Sequence, residues 1–204
     1  MNRGAMSGIS PNVDVPSASS DTEPTLGRRM LARLQHVEAA LAGDDAAFEA
    51  LVLDRLPRTY RMALAILGSE ADARDAVQEA WVSVWRQMPS LRDPARFDAW
   101  LDQILVNACR SGLRKRRRVR EIALDDNFDI EAPQPGPDHI TEREALQRAF
   151  NGLSVEQRTL LVLHHLERRP LTAIAELFGI PVGTAKSRLH AARTALERTL
   201  EAER

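Results

Sequence analysis

The stretch "GIPVGTAKSRLHAARTAL", Gly179 to Leu196, decides how the C-terminal part of the chain folds. On a helix beginning near Val182, the residues Val182, Ala185, Leu189, Ala192 and Leu196 recur at spacings of three and four, which predicts one buried stripe. Gly183, Lys186, Ser187, His190, Arg193 and Thr194 then share the opposite side. Most of them are small, hydrogen-bonding or cationic, a set suited to a DNA major groove. Just upstream, "LTAIAELF" puts Leu171, Ile174, Ala175 and Phe178 on a second stripe, with Gly179 as a C-terminal stop and Pro181 near the next helix start. The pattern is helix, short turn, helix. Ordinary core packing of two amphipathic helices produces the same spacing, so periodicity by itself leaves DNA binding and plain packing both open.

Composition narrows the field. The 204 residues suit one or two small domains, and 44% hydrophobic with 28% charged residues can build cores. The net charge of -1 conceals strong segregation of acids and bases along the chain. A single cysteine, Cys109, excludes an internal disulfide and a cysteine-rich zinc cluster and fits a reducing compartment. Its plainest reading is a small buried apolar residue. His164, His165 and Glu167 are the only set that suggests a metal or acid/base site. Adjacent residues on a helix point about 100° apart, and no third ligand stands at a fitting spacing. No catalytic residue, metal or cofactor is therefore expected.

Residues 1–25, rich in Ser, Pro, Gly and Asp, hold no apolar block long enough for a signal peptide or membrane span and read as a disordered tail. Met6 is a second candidate start. From Leu26 to about Met88 the pattern is helical, broken at "AGDD" and "LGSE". Between the breaks, Phe48, Leu51, Val52, Leu56, Tyr60, Ala63, Leu64 and Leu67 keep near-helical spacing, and Pro57 either kinks that helix or starts a new one. Ser69 is a candidate N-cap, with Asp72 in a weak variant of the capping box. The helix that follows gathers Ala73, Val77, Ala80, Trp81 and Val84 inward and leaves Asp72, Asp75, Gln78 and Glu79 as a polar, acidic strip. Such a strip is either solvated acid near a helix N-terminus, favoured by the macrodipole, or a docking face for a basic partner.

After a loop at "PSLRDPAR", the stretch "FDAWLDQILVNACRSGLRKRRRVR" sets Phe97, Trp100, Leu101, Ile104, Leu105 and Ala108 on a core side. Its far end carries Arg110, Arg114, Lys115, Arg116, Arg117, Arg118 and Arg120. So many adjacent cations repel one another, which favours a polyanion contact over a merely solvated helix end. "LDDNFDIEAPQPGPD" then holds five acids, three prolines and no basic residue, a linker. The organisation is a tail at 1–25, a first helical domain at 26–120, an acidic Pro-rich linker at 121–140, and a second helical domain at 141–204.

An acidic helix with "DARDAVQEAW", a Trp-bearing helix ending in basic residues, a linker, and a C-terminal "AIAELFGIPVGTAKSRLHAAR" together resemble the bacterial sigma-70 family in its small extracytoplasmic-function class. The resemblance runs from about Val37 to Leu200. It implies an all-α protein of two small domains on a flexible link that binds core RNA polymerase, directs it to a promoter and helps to melt the start site. It is not an enzyme in its own right. Asp72, Asp75, Gln78 and Glu79 match the strip that docks on a basic-lined coiled coil of the largest subunit, which decides between the two readings above. Leu91, Arg92, Gln103 and Asn107, with Arg110, Arg114 and Arg117, match the part that captures an unstacked base of the minus-10 element and holds its strand. Trp100 matches a core tryptophan of the family. Thr184, Lys186, Ser187, Arg188, His190 and Arg193 match the reader of the minus-35 element. Three positions depart from the family pattern: Arg74 where an acid is usual, and Gln103 and Ala191 where arginine is frequent. The acidic linker would pass near the RNA exit path, as a mimic of nascent RNA or a plain tether. The implied partners are the beta and beta-prime subunits of core polymerase, promoter DNA and an anti-sigma factor, and the implied place is the cytoplasm, at the nucleoid. An ordinary helix-turn-helix regulator would account for the C-terminal half alone. It would need a sensing or dimerising domain, and residues 37–120 show an acidic strip and a basic helix instead.

Overall fold

Gly43, at φ 93°, and the N-cap Asp44, whose carboxylate accepts from the backbone N–H groups of Ala46 and Ala47 at 2.9 and 3.1 Å, turn the chain into its first helical hairpin. The computed structural model describes residues 22–125 and 142–202. In the first of these segments α1 (Thr22–Leu41) packs on α2 (Asp45–Leu67), and α3 (Glu70–Gln87) packs between α2 and α4 (Phe97–Asp125). Leu51, Met62, Ile66, Ala73, Val84, Leu101 and Leu105 are fully buried where these helices meet. In the second segment α5 (Glu142–Asn151), α6 (Val155–Leu161) and α7 (Leu171–Phe178) pack on α8 (Val182–Ala202). Ser154 opens α6 with a full capping box: its hydroxyl accepts from Gln157 N–H at 3.2 Å, and its own N–H donates to the Gln157 side chain at 2.9 Å. All regular elements among the described residues are helical.

The two domains touch. α2 packs against α6 and the π-helical turn Val162–Leu166 that continues it, and α4 packs against α7. At the end of α2, Gly68 is the left-handed C-cap at φ 71°, and a side chain there would collide with the Asn151 amide at the end of α5.

Several boundaries differ from the sequence reading, each for a local reason. α1 begins at Thr22, inside the stretch expected to be tail, because "TEPT" has no apolar residue whose periodicity would mark it. α4 runs through "EIALD" to Asp125, into the expected linker, since Glu121 to Leu124 are sound helix formers whatever their charge. The rest of the acidic linker lies outside the described residues. Pro57 neither breaks α2 nor starts a new helix; it sits inside one continuous element. Beside it the buried Thr59 hydroxyl donates to the Arg55 and Leu56 carbonyls, each at 3.1 Å, and accepts from Trp81 Nε1 at 3.4 Å. "PSLRDPAR" is not plain loop but two 3-10 turns, Met88–Ser90 and Pro94–Arg96, the second capped by Asp93. Ser69 caps α3, but Asp72 does not return the bond, because its carboxylate is drawn to Arg116. On α8, Ala185, Leu189 and Ala192 are buried as expected. Val182 is 45% exposed, since the first turn of α8 has no helix over it, and Thr194 is half-buried rather than outward.

Candidate nucleic-acid and partner interface

The buried face of α3, Ala73, Ala76, Val77, Ala80, Trp81 and Val84, fixes what its other face presents. Asp75, Gln78 and Glu79 stand exposed, and Asp72 is half-buried in its ion pair with Arg116 of α4. Arg74, the residue out of pattern, reaches one turn back to Glu70 at 2.9 Å, an exposed pair worth only a few tenths of a kcal/mol. Adjoining this strip is an apolar groove of about 740 Å³ between α2 and α3, lined by Phe48, Val52, Tyr60, Trp81 and Trp85, with Arg74 and Gln78 also on its wall. Phe48 meets Trp85 edge-on at 4.7 Å. Half of the Trp85 surface is open to solvent. Periodicity did not single out Trp85; a bulky aromatic on the polar side of an amphipathic helix was the available signal.

The candidates for base capture surround a second hollow. A cavity of about 390 Å³ is lined by Leu91, Arg92, Trp100 and Gln103 from the first domain and by Leu163, Arg169, Ile174 and Glu176 from the second. Leu91 is only 9% exposed, so it forms a wall of the cavity and not a projecting wedge. Arg92, Gln103 and Asn107 are exposed, but Asn107 is not among the lining residues. Trp100 is half-buried against Phe97, with ring centroids 6.2 Å apart, and also lines the cavity, so it is less a core residue than the sequence suggested. Further along α4 the Arg110 guanidinium lies 4.6 Å from the centre of the Phe178 ring of α7. Arg114, Lys115, Arg116 and Arg118 are exposed. The side chains of Arg117 and Arg120 lie outside the described ones.

On α8, Lys186, Ser187, Arg188, His190 and Arg193 are exposed and Thr184 is half-buried. Several already have partners. Ser187 donates to the Thr184 carbonyl at 3.0 Å, Arg188 pairs with Glu156, and Arg193 donates to His165 Nε2 at 3.2 Å. Burial, Arg193 and His164 hold the His165 pKa below its usual value, which suits a ring nitrogen that accepts a bond. His164 stands edge-on to His165 and faces the Arg169 carbonyl, while Glu167 is held by Arg58. No group of three or more metal-ligating side chains occurs among the described residues. Nor, among them, is any helix long and apolar enough to cross a membrane.

Between the domains lies a charge cluster that the sequence reading missed. Asp102 of α4, 1% exposed, receives Arg58 Nη2 at 2.8 Å on one oxygen, and Arg169 Nη2 and Nε at 2.5 and 2.8 Å on the other. Arg58 also donates from Nε to Glu167 at 2.6 Å. Burial pushes the Asp102 pKa up against the pull of the two guanidiniums. Burial also acts against the Arg58 cation, but Asp102 and Glu167 outweigh it and raise its pKa. Members of the cluster lie up to 109 residues apart, beyond the reach of any periodicity. A π-helical turn and a left-handed Arg168, at φ 51°, set Glu167 and Arg169 on its two sides.

Comparison with known proteins agrees with this layout. Residues 51–119 match the model of Sigma-70 region 2, and residues 143–196 match that of Sigma-70 region 4. The chain is 33% identical over 177 residues to the ECF RNA polymerase sigma factor SigM of Mycobacterium tuberculosis, spanning 85% of this chain and 87% of that one. It is 33% identical over 162 residues to the ECF RNA polymerase sigma factor SigE of Mycolicibacterium smegmatis, spanning 76% of this chain and 63% of the relative. Among solved structures it resembles CnrH in complex with the cytosolic domain of CnrY, at TM-score 0.63 and 26% identity, over 85% of this chain and 99% of that one. It also resembles the sigma factor RpoE in complex with the anti-sigma factor NepR from Bartonella quintana, at TM-score 0.60 and 30% identity, over 77% of this chain and 98% of that one.

Proposed function

Since this chain belongs to the extracytoplasmic-function class of the sigma-70 family and so serves RNA polymerase in transcription initiation, we propose a division of labour between its surfaces. Asp75, Gln78 and Glu79 dock on a basic face of core polymerase. Asp72 joins them when Arg116 moves to DNA. The observation that carries this reading is the clean separation on α3: a fully apolar face inward and an uninterrupted acidic and amide face outward, with the groove at Trp85 beside it. Exposed charge next to exposed aromatic surface is an arrangement that a purely solvated helix has no need of.

Promoter contacts divide between the domains. Arg92, Gln103 and Asn107, with Trp100 and Leu91 walling the cavity, take the unstacked minus-10 base, and the arginines of α4 neutralise the strand. Lys186, Ser187, Arg188, His190 and Arg193 face the minus-35 duplex, where α8 lies as the second helix of a helix-turn-helix. The chain supplies recognition and leaves bond-making to the polymerase, in the cytoplasm where its DNA lies. The groove at Trp85 also offers a seat for an amphipathic helix of an anti-sigma factor, in keeping with the complexes formed by the two structural neighbours. Run-off transcription with core polymerase on a library of promoter fragments tests the reading and returns the two elements. No promoter-dependent transcript would overturn it.

A further inference from the structure

Resting on that functional reading, we propose that the two DNA-reading domains of this chain inhibit each other: the second domain, clamped on the first, occupies the minus-10 site. Three observations converge on it. The Arg110 guanidinium, a candidate strand contact, is spent on the Phe178 ring of α7. The cavity beside Gln103, Arg92 and Trp100 is closed on its far side by Leu163, Ile174 and Glu176, so a base entering it would meet α7. Arg96, in the 3-10 turn that borders the same cavity, is paired with Glu176. On this face carboxylates of the second domain, Glu167 on Arg58 and Glu176 on Arg96, take cations of the first, as a phosphate strand would.

The clamp is charged, buried and built on a constrained backbone. Arg58 and Asp102 belong to the first domain and satisfy each other; Glu167 and Arg169 reach across to them from the strained turn around Arg168. Closure is incompatible with promoter binding on length alone. The minus-10 and minus-35 elements lie roughly 25 base pairs apart, about 85 Å at 3.4 Å per pair. Here α7, the helix that supports α8, touches α4, and α8 itself, at 21 residues, is only about 31 Å long. The chain between Asp125 and Glu142 can stretch to roughly 60 Å, so separation needs no unfolding of either domain. Binding to core polymerase or to DNA therefore draws on the open fraction, and apparent affinity for naked promoter DNA is reduced by that fraction.

The test uses the full chain with Arg96→Cys and Glu176→Cys, joined by a short bismaleimide; Cys109 is fully buried and its thiol is pushed up to about 12, so it stays out of the reaction. The bridged chain should lose binding to a minus-10 single strand and fail to start transcription with core polymerase, while the unbridged double variant does both. Glu167→Gln with Arg169→Gln leaves the Arg58 and Asp102 pair in place. In the same cysteine background it should bridge several-fold more slowly, and in the natural background it should bind naked promoter DNA about tenfold tighter. A bridged chain as active as the unbridged one overturns the clamp, as does a Gln variant with unchanged bridging rate and DNA affinity. If the unbridged chain itself gives no promoter-dependent transcript, the functional reading falls first and the inference with it.

Discussion

Replacing Leu189 by Ala should unfold what replacing Lys186 by Ala only silences. Leu189 is 3% exposed on the inner side of α8, against the helices that α8 holds together. The substitution removes three carbons, roughly 2.4 kcal/mol at about 0.8 kcal/mol per buried methylene. The cavity left behind adds to that, within the range of about 2 to 5 kcal/mol for a buried leucine. At roughly 2 to 4 °C per kcal/mol for a chain of this size, 3 kcal/mol lowers Tm by about 6 to 12 °C. Lys186, exposed on the other side, should leave Tm within about 2 °C and instead cost on the order of 1 to 3 kcal/mol of minus-35 binding if it reads a base. If it touches only phosphate, the loss is uniform across sequences. Thermal melts beside a mobility shift with matched and scrambled minus-35 duplexes separate the two. A stable Leu189→Ala together with an unfolded Lys186→Ala would mean that α8 is rotated from the arrangement described.

Changing Asp75 and Glu79 to Lys should weaken core-polymerase binding at least about tenfold in a pull-down with Tm unchanged; equal binding would return the strip to solvent. Neutralising Arg114, Arg116 and Arg117 should flatten the dependence of log K on log salt for promoter binding by about 2 to 3, one unit or slightly less per lost phosphate contact, and an identical slope would refute the phosphate role. The Cys109 thiol, pushed up to about 12 by burial, should resist alkylation in the native chain at pH 9 and react at once in denaturant. The unfolded thiol ionises near pH 8.5 and the folded one does not, so between about pH 8.5 and 12 rising pH should favour unfolding by up to about 1.4 kcal/mol per unit from this group. Arg168→Gly, at φ 51°, should match or exceed the natural Tm, whereas Arg168→Val should lower it, and the reverse order would remove the case for strain there.

The legible parts of the fold were those written in short-range repetition. Ala73, Val77, Ala80, Trp81 and Val84 on α3, and Ala185, Leu189 and Ala192 on α8, are buried where spacing put them, because a helix of several turns must bury one stripe to be stable. The exposure of Asp75, Gln78, Lys186 and His190 follows from the same geometry. The illegible parts depended on distant partners or on backbone detail. Val182 looked like core but has nothing over it, and Leu91 looked like a contact but is a wall. The Asp102 cluster joins charges that sequence spacing does not relate, and burial of an aspartate on the core face of α4 reads, from sequence, as a break in the stripe. Nothing in "VLHHLERRP" announces a π-helical turn.

That turn has a consequence for how the second domain tolerates change in length. A π-helical turn holds one residue more than the α-helical turn it replaces, so Val162–Leu166 works as an insertion absorbed in place. Deleting a single residue there would let α6 continue as plain α-helix, and everything after it would arrive about 100° out of phase and 1.5 Å short. Glu167 and Arg169 would then swing away from Arg58 and Asp102 while α7 and α8 kept their mutual packing. One codon therefore sets the angular register between the promoter-reading helix pair and the domain it leans on, and its loss would yield a folded chain with a differently aimed C-terminal half.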